Sequence, residues 1–302
     1  MVRSLLGLFL CGVALMAEEQ RDFDKLWDYG NPAETEKKFR KVWEDKKAGA
    51  DPGYLAELQT QIARTHSLRG KYDEAHKILD GVEKALRPED LVPRLRYLLE
   101  RGRTFNSSGQ KDKAKPFFME AWDQGREIGA EAHAVDAGHM VAVVGDAKWK
   151  LQWELKTIEY ARECKSKLAR GWLGSLYNNL GWSYHSMERY EEALDAFHAA
   201  LKVREEQKKG VGTAKWCVAR CLRSLGRVDE ALASQEKLLK GVEGRNEDGY
   251  TYEEMAECLA ALGRADEARP YFKKAFEHLS KISWLAESEP KRIERLKKLG
   301  EP

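Results

Sequence analysis

The sequence predicts an all-α fold, an α-solenoid built from antiparallel helix pairs, and three observations carry that expectation. Small residues return at near-regular steps of 37 to 40 positions, at Ala63, Gly102, Ala142, Gly181, Ala219 and Ala256. A second small series runs beside it at Ala75, Ala114, Ala193, Ala231 and Ala268, with Glu154 replacing alanine in the third unit. Charged residues make up 34% of the 302 positions and prolines only 8, which suits long solvated helices and leaves little room for strands or low-complexity linkers. A fixed step argues for a solenoid, because one helix pair cannot bury its apolar face unless a neighbour stacks on it. Each unit touches only its neighbours, so the chain reads as one elongated body.

The pattern is sharpest in Tyr177 to Leu201. Gly181 and Ala193 mark where two helix backbones approach most closely, and Leu180, Tyr184, Phe197 and Ala200 fill the space around them. Tyr177, Leu180, Gly181 and Tyr184 in the first helix, then Ala193, Phe197 and Ala200 in the second, resemble one tetratricopeptide repeat. The Tyr177-Asn178-Asn179-Leu180-Gly181 run is similar to kinesin light chain-type repeats. The resemblance implies a right-handed superhelix whose inner wall is lined by the first helix of each pair. It also implies a concave groove that holds peptides of partner proteins.

Taken in order, residues 1–17 read as a signal peptide: one early arginine, Arg3, an apolar run from Leu5 to Met16, and Ala17 before the acidic Glu18. That run is too short to span a bilayer, so no stable membrane span is expected and the protein is expected to be exported, periplasmic or secreted. Cys11 raises a lipoprotein alternative, which the bulky Leu10 before it disfavours. Residues 18–50 form a divergent N-terminal helix pair, Asp22 to Tyr29 and Glu34 to Asp45, broken at Gly30-Asn31-Pro32 and serving as a cap. Six repeats occupy residues 51–281. Gly70, Gly109, Gly226 and Gly263 end first helices in the left-handed conformation, and Asp73, Asp112, Asp229 and Asp266 are expected to cap the second helices.

The third repeat is the least regular. Gly145 stands where an aromatic is expected, and Trp149 and Trp153 crowd the region as fillers of the hole. Residues 282–302 form a C-terminal capping helix opened by Glu289-Pro290. Ile293, Leu296 and Leu299 line one side of it, and Lys291, Arg292, Lys297 and Lys298 face water. With the leader removed, Cys164, Cys217, Cys221 and Cys258 remain; Cys217 and Cys221 lie one turn apart on one helix, and the four read as small buried thiols.

No catalytic motif is present: no H-E-x-x-H, phosphate-binding glycine loop, G-x-S-x-G or paired C-x-x-C. No cofactor or metal is expected. The alternative is a helical metal-dependent hydrolase in the irregular third repeat, where His133, Asp136 and His139 share one helical stripe. The 52 basic and 50 acidic residues give a formal charge of +2, too balanced for a nucleic-acid binder.

The leading expectation is a non-catalytic interaction scaffold. Carried onto this chain, the groove positions are Arg64, Arg96, Arg103 and Asn106 in the early repeats, Asn178, Asn179, Trp182 and His185 in the fourth, and Trp216, Arg220 and Arg223 in the fifth. Asn179 matches the position whose amide bonds a peptide backbone in the resembled family. Glu253, Glu254 and Glu257 fall on the same wall in the sixth repeat, and Asp136 and Asp146 in the third. A partner protein or peptide that is acidic opposite repeats four and five and basic opposite repeat six would match.

Overall fold

The computed structural model describes residues 21–242 and 248–301; the leader and Cys11 lie outside the described residues. No strand occurs among the described residues. After a 3₁₀ turn, Asp22–Leu26, the helices run α1 Pro32–Lys46, α2 Pro52–Ser67, α3 Tyr72–Ala85, α4 Leu91–Ser107, α5 Lys111–Glu127, α6 Glu131–Val144 and α7 Ala147–Glu163. They continue with α8 Lys167–Gly171, α9 Leu173–Ser186, α10 Tyr190–Gln207, α11 Val211–Ser224, α12 Val228–Val242, α13 Gly249–Ala261, α14 Ala265–Leu279, α15 Ser283–Ser288 and α16 Pro290–Gly300. The fold is an all-α solenoid arrangement of consecutive helix pairs, α2/α3, α4/α5, α6/α7, α9/α10, α11/α12 and α13/α14.

Where the repeat pattern predicts one body, the structure divides into two compact units, residues 1–172 and 173–302. The division falls just after α8, a short helix that the repeat template does not contain. In unit 1 the core joins Ala63, Leu79, Leu99, Phe118, Ala121, Trp122 and Ala142. In unit 2 it joins Phe197, Cys217, Cys221, Ala256, Cys258 and Phe272. The four cysteines are buried free thiols.

The small residues do the work expected of them. A Cβ on Gly102 would fall 2.5 Å from the Phe118 ring, and one on Gly181 would fall 2.5 Å from the Phe197 ring; both rings are fully buried. The third repeat differs in detail. Ala142 is buried, and one turn earlier a Cβ on Gly138 would meet Thr157 Oγ1 at 2.5 Å and Trp122 at 2.6 Å. At Gly145 a Cβ would overlap the Trp149 ring at 1.9 Å, so that indole occupies the space a larger side chain would take. Trp149 Nε1 donates to the Val141 carbonyl at 3.1 Å, and Trp153 packs edge-on against Trp122.

The turn glycines 70, 109, 226 and 263 have φ of 73°, 80°, 76° and 75°, the left-handed region that a side chain disfavours. In the fourth repeat Glu188 holds that place at φ 59°. The expected aspartate caps are corrected: no side-chain cap bond forms at Lys71, Gln110 or Arg264, and Asp73, Asp112, Asp229 and Asp266 lie inside the first turn. There they face the positive end of the helix dipole rather than closing an open backbone N–H.

Both ends also depart from expectation. The opening pair is a five-residue 3₁₀ turn followed by α1. The Thr35 hydroxyl donates to the Asp28 carbonyl and accepts from the Asp28 N–H, which ties residues 27–31 down as a loop, while Asn31 caps α1. Phe23 and Phe39 seal this end, 1% and 0% exposed. The C-terminal cap is two helices, α15 and α16, anchored by the fully buried Leu285 and Leu296. Leu299 is 38% exposed, and Arg292 turns from water to Glu253 because that carboxylate lies within reach on α13.

Candidate functional site

Each unit carries one candidate cleft, built on the first helices of its pairs. Those helices follow one another at one-repeat intervals, so the side chain one repeat ahead is the nearest neighbour on the adjoining helix. That spacing organises the charges of both clefts.

In unit 1 the cleft has a volume of about 590 Å³. Gln61 and Arg64 on α2, Arg96, Leu99, Glu100 and Arg103 on α4, and His133, Asp136, His139 and Met140 on α6 form its walls. Asp24 enters from the 3₁₀ turn, Trp27 and Tyr29 from the residues that follow it, Leu168 from α8 and Trp172 from the C-cap of α8. Arg96 donates to both Asp24 oxygens at 2.8 and 2.6 Å, and its Nε lies 3.0 Å from the fully buried Glu57, which also accepts from Arg21. Arg103 bridges Glu100 at 2.6 Å and Asp136 at 2.5 Å.

Arg64 is different. Among the described residues its guanidinium makes no hydrogen bond, and its one ion pair is long, Nε to Glu100 Oε2 at 3.7 Å with the side chain 21% exposed. Burial works to lower all three arginines; Asp24 and Asp136 more than offset it for Arg96 and Arg103, which are held above the ordinary value, whereas Arg64 is pulled below it.

His133, Asp136 and His139 do line this cleft, but they make no metal centre: no group of three or more ligating side chains forms among the described residues. The Asp136 carboxylate is committed to Arg103, and His139 packs against Trp172 with ring centroids 5.7 Å apart. Burial, with Arg103 assisting and Asp136 opposing, pushes His139 below its usual value. Asn106 lies outside the cleft lining, its Oδ1 buried without a hydrogen-bond partner. Asp146 is not a wall carboxylate but the cap of α7, accepting from Trp149 N–H at 2.8 Å.

The unit 2 cleft, about 460 Å³, is lined by Trp182, Trp216, four arginines and four glutamates. Arg223 donates to both oxygens of Glu254 at 2.6 and 3.0 Å, and Arg220 Nε lies 3.6 Å from the same carboxylate. Arg292 pairs with Glu253 at 2.9 Å, and Arg295 pairs with Glu257. The expected basic and acidic zones are therefore matched within the chain: α11 supplies cations to α13, and α16 covers the remaining carboxylates. Burial raises Glu254 above the ordinary glutamate value in spite of Arg223.

The aromatic part is continuous. Trp182 and Trp216 lie 6.0 Å apart, and Trp216 Nε1 donates to the Tyr250 carbonyl at 3.0 Å. His185 sits between Trp182 and Tyr190 with Nε2 2.9 Å from Ser224 Oγ; burial first, then Arg220 and Arg223, lower its pKa. Asn178 accepts from the Cys217 thiol at 3.3 Å, whose pKa burial pushes up to about 12. Asn179, partly buried on α9, makes no side-chain hydrogen bond among the described residues.

The sequence pattern identifies the arginines and indoles but not their partners. Gln61, Glu100, Trp27, Tyr29, Trp172, Arg292 and Arg295 enter the clefts without having been anticipated there. A usable signal exists: pairing partners lie about one repeat apart, 33 residues for Arg103 and Asp136, 31 for Arg223 and Glu254, 39 for Arg292 and Glu253.

Comparison with known proteins follows the same division. Tetratricopeptide-repeat family models match residues 175–207 and 210–281. No curated protein matches the chain. Among solved structures, a signal transduction ATPase with a tetratricopeptide repeat sensor from Pyrococcus horikoshii superposes with a TM-score of 0.68 at 15% identity, over 88% of this chain. This chain spans 42% of that protein's length. The apo form of RapI gives a TM-score of 0.63 at 14% identity, over 95% of this chain and 87% of RapI. A tetratricopeptide repeat protein from Parabacteroides merdae gives 0.52 at 16% identity, over 92% and 96%. At these identities the likeness is one of fold. Tetratricopeptide repeats are thus recognised at 175–207 and 210–281, and the remaining described residues continue in helix pairs of the same kind.

Proposed function

We propose that this protein is a non-catalytic interaction scaffold that binds a protein or peptide partner on the faces made by the first helices of its pairs. In unit 2 the receiving surface is Asn179, Trp182, Trp216 and Arg220. The observation that carries this reading is the Asn179 amide, which makes no side-chain hydrogen bond among the described residues and lies one turn from Trp182 on α9. An amide beside indole rings presents two donors and an acceptor next to apolar area, the composition of a binding hot spot. A partner acidic opposite repeats four and five and basic opposite repeat six would exchange the internal ion pairs for its own. Charge then contributes selectivity and salt dependence more than affinity.

Export through residues 1–17 belongs to the same proposal, and the N-terminal sequence of protein recovered outside the cytoplasm tests it. No helix among the described residues is long and apolar enough to cross a membrane. The binding reading is tested by capturing partners with the full chain and with Asn179→Ala/Arg220→Glu, both checked for unchanged melting. Loss of the captured protein in the variant supports the face; an unchanged set removes it.

A further inference from the structure

The unit 1 cleft has a chemistry that peptide binding in unit 2 does not use. Its lining carboxylates Asp24, Glu100 and Asp136 each accept a guanidinium hydrogen bond within the chain, so each already has a cation beside it. Arg96 and Arg103 are doubly paired. Arg64 alone among these arginines presents an unbonded fork, and Glu100 Oε2, its distant counter-ion, is itself buried without a hydrogen bond. Arg64 is therefore the lining arginine that makes no hydrogen bond among the described residues, and its planar fork has the geometry that suits a carboxylate.

Beside this cation stands an aromatic platform. Trp27 and Tyr29 stack with centroids 4.6 Å apart and ring planes 3° from parallel, and Trp27 is fixed by its bond from Nε1 to Gln61 at 3.0 Å. Tyr29 is 67% exposed, the most exposed large apolar side chain described in unit 1. Trp27, Tyr29 and Arg64 line the same cleft. The volume, about 590 Å³, lies within the range of small-molecule sites, roughly 300–1,000 Å³.

We propose that the unit 1 cleft binds a small organic anion, a carboxylate on a flat aromatic body, with the carboxylate on the Arg64 guanidinium and the ring against Trp27 and Tyr29. The proposal is independent of the partner-binding reading, since it rests on unit 1 alone and requires no second protein.

The test is titration calorimetry of the full chain with 2-naphthoate and with its uncharged counterpart 2-naphthamide. One molecule of the acid should bind per chain, at least about ten-fold tighter than the amide, the worth of one charge-assisted bond. Arg64→Gln should erase that preference while leaving the amide unchanged. Arg64→Lys, which keeps the charge but not the planar fork, should retain part of it. Tyr29→Ala, at an exposed position, should weaken acid and amide alike. Equal binding of acid and amide by the unaltered protein, binding of neither, or a preference that survives Arg64→Gln overturns the proposal.

Discussion

The ring of Phe197 lies across Gly181 so closely that a Cβ at that glycine would fall 2.5 Å from it. Neither side can yield cheaply, because the ring is fully buried and the glycine is in the middle of α9. Gly181→Ala, and likewise Gly102→Ala against Phe118, should destabilise the fold by about 1–3 kcal/mol, the usual cost of overpacking. The gain in helix propensity from glycine to alanine, about 1 kcal/mol at most, offsets only part of it. Urea denaturation measures the difference. A variant as stable as the parent would show that the helices can move apart without loss.

Gln235 occupies the position held by Phe118, Phe197 and Phe272 in other pairs, yet it is fully buried and neither its amide nitrogen nor its oxygen has a hydrogen-bond partner among the described residues. An unsatisfied buried amide costs about 1–3 kcal/mol. Gln235→Met, close in volume and without polar hydrogens, should raise the melting temperature of unit 2. A fall instead would show that the amide is satisfied in solution.

Glu254 is buried and held by both Arg223 and Arg220. Removing the cation alone leaves a carboxylate with reduced compensation, so Arg223→Ala should cost about 3 kcal/mol, the lower end for breaking a buried pair. Arg223→Met/Glu254→Leu should cost much less. A double variant as damaged as the single one would mean that packing, and not charge, fixes α11 against α13.

His76, His139 and His185 are all pushed below the usual histidine value, with burial the leading cause in each. A group depressed in the folded state binds its proton first in the unfolded chain, so the stability it contributes is lost as pH falls below the ordinary value near 6.5. Thermal stability should therefore decline from pH 7 towards pH 5, and the triple His→Gln variant should show a shallower decline. Identical pH profiles for parent and variant would assign the decline to carboxylates.

The backbone scheme was readable in the sequence because close helix contacts demand small side chains: Gly102 and Gly181 have no room for a methyl group. In the third repeat Ala142 is buried as expected, and Gly138, one turn earlier on α6, is a second close contact that the template does not mark. The 3₁₀ turn at Asp22–Leu26 and helix α8 were not readable, because five residues carry too little periodicity to register. The expected groove positions come from the same template as the fold, and of them Arg64, Arg103 and Arg223 line the clefts. What those arginines bond to was hidden, because each partner sits on the next first helix. Reading Arg223 and Glu254 as separate charged zones treated as two surfaces what the structure joins at 2.6 Å.

The rungs from Arg103 to Asp136 and from Arg223 to Glu254 make the units inexchangeable. Each arginine reaches an acidic group on one particular successor, so transposing or excising a module would abut guanidinium on guanidinium or strand a carboxylate. A shortened chain would keep these pairs only if the modules joined by a rung were removed together, or if the cut fell at an edge where no such lock has to be undone.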